Sequence, residues 1–218
     1  MTFVVYKLGG SLLSCGDLAV RLKAVLQQRP GSYPLIIVGG GSAANVVRAW
    51  SVTHTLTEVA AHWLAVRSLS LNRGLLRHLL PESHEVSSRD EFQRSEVHVP
   101  LLLDVEACLL AAETNHRCSL PKCWDMTTDS IAAWVAHDWG ADELVLLKST
   151  ALPVEQPLGD GSLDDRPPQK QSLAAAAGRG FVDPHFPLVA WHVPRVSWCN
   201  LRENNSQIIP WLPLRLSD

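Results

Sequence analysis

At 218 residues the chain has room for one domain or two tightly joined lobes, since a soluble domain takes ~100–200 residues. Hydrophobic residues make up 46% and charged residues 19%, which excludes a disordered chain, and a formal charge of −3 leaves no broad basic field for nucleic acid. No apolar run approaches the ~18 residues that span a bilayer, so no membrane association is expected. The opening Met1–Lys7 lacks a basic leader with a longer apolar segment behind it, and reads as a strand rather than a signal peptide. Five cysteines form no evident disulfide framework, which fits a reducing cytoplasm. His116, Cys118 and Cys123 lie close together in sequence, but their spacing matches no familiar zinc pattern and no metal site is expected. Most of the eight tryptophans are expected to pack in the core.

Residues 3–7 are β-rich and run into the turn Gly9-Gly10-Ser11. From Asp17 to Gln28, Leu18, Leu22, Val25 and Leu26 recur at helical spacing, and Pro30-Gly31 ends that helix. Pro34–Val38 is a short continuous apolar run of the kind a buried parallel strand shows. It meets Gly39-Gly40-Gly41, after which Ser42 is placed to cap a helix through Trp50. A strand–glycine–helix unit thus occurs twice in the opening segment, which predicts an α/β fold with a largely parallel sheet. A long helix is expected from about Thr55 to Leu80, and residues 82–98 read as a polar, irregular surface excursion. Another helix follows Thr127-Thr128-Asp129 and closes at Gly140; Glu143–Lys148 is a further buried strand. Residues 151–172, rich in proline, glycine and charge, predict a mobile loop. Leu188–Trp191 and Val196–Cys199 are expected to be short strands.

The chemistry-bearing residues collect where strands end. Each glycine cluster follows a strand and precedes a helix, a geometry whose unpaired N–H groups receive phosphate. The same glycines could simply make tight turns, and neither a Walker loop nor a Gly-x-Gly-x-x-Gly fingerprint is present. Lys7 closes the first strand, and Lys148 closes the Leu144–Leu147 strand. Ligands of open α/β sheets bind at the carboxyl ends of strands, so both ammonium groups could meet one pocket, or both could be solvated. Asp129, at the start of its helix, is either a cap or a carboxylate that holds the two lysines.

Taken in order, Tyr6-Lys7-Leu8-Gly9-Gly10-Ser11, Val38-Gly39-Gly40-Gly41, Thr127-Thr128-Asp129-Ser130-Ile131-Ala132-Ala133 and Leu147-Lys148-Ser149-Thr150 resemble the amino acid kinase family, which includes aspartate, acetylglutamate, carbamate and uridylate kinases. The resemblance covers roughly residues 3–150. It implies a three-layer αβα sandwich with a largely parallel central sheet, an acceptor-binding lobe of about residues 1–120 and a nucleotide-binding lobe of about 121–218. It also implies transfer of the γ-phosphoryl group of ATP, with Mg²⁺, to a small anionic acceptor, in a homo-oligomer. By position, Lys7, Asp129 and Lys148 resemble the catalytic residues. Gly9, Gly10, Ser11, Ser149 and Thr150 resemble the phosphate and nucleotide cradle, and Gly39, Gly40 and Gly41 the acceptor cradle.

A narrower likeness rests on Ala61-His62-Trp63-Leu64-Ala65-Val66 and Cys123-Trp124-Asp125-Met126-Thr127-Thr128-Asp129-Ser130. These segments resemble the methanofuran-biosynthesis kinases, which act on a furanylmethyl phosphate, and imply that His62 and Trp63 bind the acceptor. Packing on a long helix is the other reading of that pair. The chain departs from the family after Lys148: the usual Asp-Val-Asp-Gly-Val/Ile-Tyr is missing, and Asp160-Gly161 is only a displaced Asp-Gly. Gly180-Phe181-Val182-Asp183 resembles a later family segment and implies a place for Asp183 near the acceptor.

Overall fold

The computed structural model describes residues 2–95, 99–115, 120–152 and 168–212, with the backbone alone for 168–171. Strand β1 (Phe3–Leu8) leads through a 3-10 turn (Gly10–Ser14) to helix α1 (Leu18–Leu26) and strand β2 (Tyr33–Val38). Helices α2 (Gly41–Thr53) and α3 (Glu58–Leu79) follow, then β3 (His84–Val86), α4 (Arg89–Arg94), β4 (Leu101–Leu103) and α5 (Val105–Thr114). The rest comprises α6 (Thr128–Trp139), β5 (Glu143–Lys148), α7 (Pro168–Gly178), α8 (Phe186–Ala190), β6 (Val196–Asn200) and β7 (Ile209–Leu212).

All described strands join one seven-stranded sheet in the order β3-β4-β2-β1-β5-β6-β7. Every pairing is parallel except β6 with β7. The expected αβα sandwich is therefore the observed architecture. β1 is buried along its whole length, as a strand covered on both faces must be. Its side chains alternate between two cores. Phe3 and Val5 face the layer built from α5, α6, α7 and α8, whereas Val4, Tyr6 and Leu8 face α1 and the end of α3.

Four local expectations are corrected. Ser42 does not cap the helix after the second glycine cluster: α2 starts at Gly41, its N-cap is Gly40 with no side-chain cap bond, and Ser42 lies in its first turn. Residues 82–98 are not wholly irregular: they hold β3 and α4. β3 is a short edge strand with two exposed residues, so it shows no hydrophobic alternation in sequence, while α4 is started by the Ser88 hydroxyl accepting from the Glu91 N–H. Leu188–Trp191 is not a strand, because Leu188–Ala190 belongs to α8, whose first turn contains Pro187. A short apolar run fits either period, and proline near a helix start decides it here. β7 carries Pro210 at the sheet edge, where a missing N–H is tolerated. Of the 151–172 loop, residues 153–167 lie outside the described residues, as does Asp160-Gly161, and from Pro168 the chain is helical.

Candidate active site

The register places Leu8 level with Val38 on one side and Leu147 on the other, so β1, β2 and β5 end together. Their exits are tied across: the Gly9 N–H donates to the Leu147 carbonyl at 2.8 Å, and the Gly39 N–H to the Leu8 carbonyl at 2.7 Å. The glycine turns then touch backbone to backbone. A Cβ on Gly10 would stand 2.1 Å from the Gly41 nitrogen, and Gly41 itself has φ +50°. Side chains at these positions would force the turns apart, a physical reason for glycine that precedes any ligand. Buried Asn72 fastens the second turn, its Nδ2 donating to the Gly39 and Gly40 carbonyls at 2.7 and 2.8 Å.

Above these turns lies an open cavity of about 610 Å³, within the range of small-molecule sites. Lys7, Arg48 and Arg202 line it beside Ser11, Thr127 and Thr128. Among the described residues it is lined by no carboxylate, so a chain of net charge −3 presents here a wholly cationic recess. That donor set fits the phosphates of a nucleotide or a phosphorylated acceptor.

Lys7 and Lys148 converge on Asp129. The Thr127 hydroxyl caps α6 by accepting from the Asp129 N–H at 3.3 Å, which leaves the Asp129 carboxylate free for other partners. Its Oδ2 accepts from the Lys148 ammonium at 2.8 Å. Its Oδ1 forms an ion pair with the Lys7 ammonium at 2.8 Å. Burial pushes the Asp129 carboxyl upward, but the ammonium groups of Lys148 and Lys7 outweigh it and bring the pKa down to about 2. Burial pulls Lys148 down to about 8 against the opposing pull of Asp129, with Lys7 adding repulsion. Lys148 also donates to the Phe181 carbonyl at 2.8 Å and stands 5.6 Å over the Trp198 ring. The result is two fixed cations on one counter-ion, suited to spreading negative charge.

Of the other expected residues, Ser149 joins the site through its hydroxyl, 3.0 Å from that of Ser11. Thr150 is exposed and ties its carbonyl to Trp198. Buried His62 lines a second, smaller niche next to the glycine turns. Trp63 lines neither the cavity nor the niche. It packs half-buried against the core with the Lys122 ammonium 5.6 Å over its ring, and of the two readings of that residue the packing one describes its place.

Asp183 stands directly behind Thr127, which lines the cavity. Its carboxylate is buried and accepts from the N–H and hydroxyl groups of Thr127 and Ser130 and from the N–H groups of His185 and Phe186. It anchors the start of α6. Sequence reasoning passed over Arg48, Asn72 and Arg202. Two signals were present: Asn72 interrupts the buried stripe Val66, Leu69, Leu76, and Arg48 falls two helical turns after Gly41 on the same face.

Comparison with known proteins agrees with this geometry. The model of the amino acid kinase family matches residues 2–151, and the chain belongs to that family. It is thereby a small-molecule phosphotransferase of the kinase type. The chain is similar in fold to the crystal structure of uridylate kinase from Archaeoglobus fulgidus, with 20% identity, 91% of this chain and 90% of that one covered, and a TM-score of 0.60. UMP kinase from Ureaplasma parvum aligns with 14% identity over 94% of this chain and 93% of that one, at a TM-score of 0.65. Aspartate kinase from Synechocystis aligns with 12% identity over 97% of this chain and 41% of its own length, at 0.58. Among curated protein sequences no match is found.

Proposed function

We propose that the protein transfers the γ-phosphoryl group of ATP to a small anionic acceptor bound between the two glycine turns. The observation that carries this reading is the shared carboxylate: Lys7 and Lys148, on adjacent strands, are locked to Asp129 beside a cavity lined by cations. Phosphoryl transfer asks little covalent chemistry of the protein, and positioned positive charge does most of the work. In this reading Lys7 and Lys148 hold the transferred group in line, Asp129 orients both, and Gly9, Gly10, Ser11, Ser149 and Thr150 flank the donor phosphates. Gly39, Gly40 and Gly41 cradle the acceptor, with His62 near its far end. An acceptor that is already an anion needs no protein base.

The nucleotide would occupy the lobe of residues 121–218 and the acceptor that of 1–120. Among the described residues no cluster of three or more His, Cys, Asp or Glu side chains stands ready to hold a metal. In this reading Mg²⁺ arrives on the nucleotide's phosphates and keeps most of its waters.

Within the family, the likeness around His62 and Trp124 favours a furanylmethyl phosphate as acceptor over uridylate, aspartate or carbamate. ADP release measured with each of the four acceptors tests this: release with the furanylmethyl phosphate alone supports it, and release with another reassigns the acceptor. The missing Asp-Gly-Tyr segment motivates a second reading, a ligand-binding homologue without catalysis. Thermal stabilisation by Mg-ATP without ADP release from any acceptor would favour that one.

A further inference from the structure

Lys148 is gripped from three sides, and one of them is aromatic. β5 and β6 pair with Leu146 level with Trp198, so Lys148, two residues on, leaves the same face of the sheet beside that indole. On this face α6 supplies the Asp129 carboxylate and the turn before α8 supplies the Phe181 carbonyl. Trp198 supplies its ring, with the ammonium 5.6 Å over its centre.

The same indole reaches the far end of the segment. Its Nε1 donates to the Thr150 carbonyl at 2.8 Å, so one side chain touches both ends of Lys148-Ser149-Thr150. Trp198 is 1% exposed and has no room to swing away. The Phe181 ring meets it edge-on at 6.2 Å and the Trp211 ring at 5.5 Å. Trp211 is pinned in turn by donating to Ser172 Oγ and by stacking on Phe186.

A neutral partner has a chemical reason here. Asp129 is one negative charge shared by two ammonium groups, and burial works against the charged form of Lys148. The charged groups that act on Lys148 are Asp129, Lys7 and, more weakly, Asp183, whose oxygens are occupied by donors at the starts of α6 and α8. A further carboxylate would stabilise the ammonium but repel an incoming phosphate. The face of an indole attracts a cation and carries no net charge.

We propose that Trp198 is the positioning residue of the second cation: its ring face holds the Lys148 ammonium, and its N–H sets the Ser149–Thr150 turn against it. That Lys148 acts on a phosphoryl group rests on the kinase reading above; that Trp198 holds it does not.

Fluorination of the indole separates its face from its shape. Tetrafluorotryptophan placed at position 198 alone keeps the ring and its N–H but removes most of the negative potential of the face. The charge of Lys148 is read directly in the full chain, as the ¹³C NMR shift of its Cε across pH, assigned with Lys148→Met. Fluorination should move the titration midpoint down by about 0.5–1 pH unit, and the alkaline limb of kcat with it, while the KM of ATP stays as in the wild type. Trp198→Phe keeps a ring face and loses the N–H. Its midpoint should fall less, and its KM for ATP should rise, because the Thr150 carbonyl loses its donor. An unchanged midpoint in the fluorinated protein overturns the proposal, as does a Trp198→Phe variant whose midpoint falls further than fluorination takes it. An unaltered KM for ATP in Trp198→Phe overturns the part given to the N–H. Failure of the kinase reading looks different: no acceptor releases ADP from Mg-ATP, yet fluorination still moves the Lys148 midpoint.

Discussion

Lys7 and Lys148 stand at the ends of adjacent strands and are held to opposite oxygens of a single carboxylate, that of Asp129. Neither lysine can change its position or charge without the other feeling it. Replacing Lys148 by Met keeps the stem and removes the charge. Turnover should fall by ~10²–10³, the size of one lost transition-state contact, with the melting temperature little changed. Steady-state rates and a thermal melt of Lys148→Met, and of Lys7→Met beside it, check this; near-normal turnover in both would end the catalytic assignment.

The Lys148 ammonium, lowered from 10.5 to about 8, gives the pH profile a sign. In the proposed role its charged form is the active one, so kcat should decline as pH rises through about 8. The folded chain releases this proton before the unfolded chain does. Between about 8 and 10.5, therefore, Lys148's own share of stability rises with pH while activity falls. At the acid end, Asp129 is depressed from 3.8 to about 2, and the stability it contributes is lost as pH falls through that window. Rate and melting profiles of wild type and Lys148→Met, subtracted, isolate the alkaline effect.

Asp183 should matter to activity only through α6. Asp183→Ala strips six donors of their acceptor, several of them buried, and should cost about 2–4 kcal/mol in urea unfolding. The variant should also lower kcat, because Asp129 sits in the turn that Asp183 anchors. A variant with full stability and reduced turnover would instead move Asp183 into direct contact with substrate.

Gly10→Ala should abolish binding of the nucleotide and of the acceptor together, since its Cβ meets the Gly41 backbone at 2.1 Å and the two turns cannot both stay in place. Gly16→Ala is the control: a Cβ there meets nothing within 4 Å, and activity should be unchanged. Thermal-shift titrations with Mg-ATP distinguish the two.

Asn72→Ala should uncouple stability from catalysis only partly. It leaves the Gly39 and Gly40 carbonyls without their donor, a loss of about 1–3 kcal/mol for buried groups. The acceptor's KM should rise more than that of ATP, because the loosened turn is the second one. A larger effect on ATP would reverse the assignment of the two turns.

What the sequence disclosed follows physical range. β1, β2 and β5 were legible because a strand buried on both faces is a continuous apolar run, and Gly9-Gly10 and Gly39–Gly41 mark where such runs stop. The convergence of Lys7, Asp129 and Lys148 was legible only as a pattern of motifs, since no local rule joins residues so far apart in the chain. Whether Asp129 caps its helix or binds lysines could not be read locally; Thr127, two residues earlier, takes the capping role and so decides it. Arg48 and Asn72 stayed hidden because each touches a partner distant in sequence, the Trp124 ring for one and the Gly39–Gly40 turn for the other. The helix at Leu188–Ala190 was misread because a short apolar run carries no period of its own.

The position of β1 in the middle of the sheet has a consequence for synthesis. Its flanks are filled by β2 on one side and β5 on the other, and Lys148 closes β5. A nascent chain that has emerged only through α5 therefore carries Lys7 and both glycine turns, but neither the carboxylate nor the second cation, and one edge of β1 is still bare. Parallel pairing between segments so distant in sequence is slow, because loop closure must precede the contacts that reward it. The pair of lysines on one carboxylate is thus completed only when β5 docks on β1, after the strand and the turns that carry Lys7 have been made.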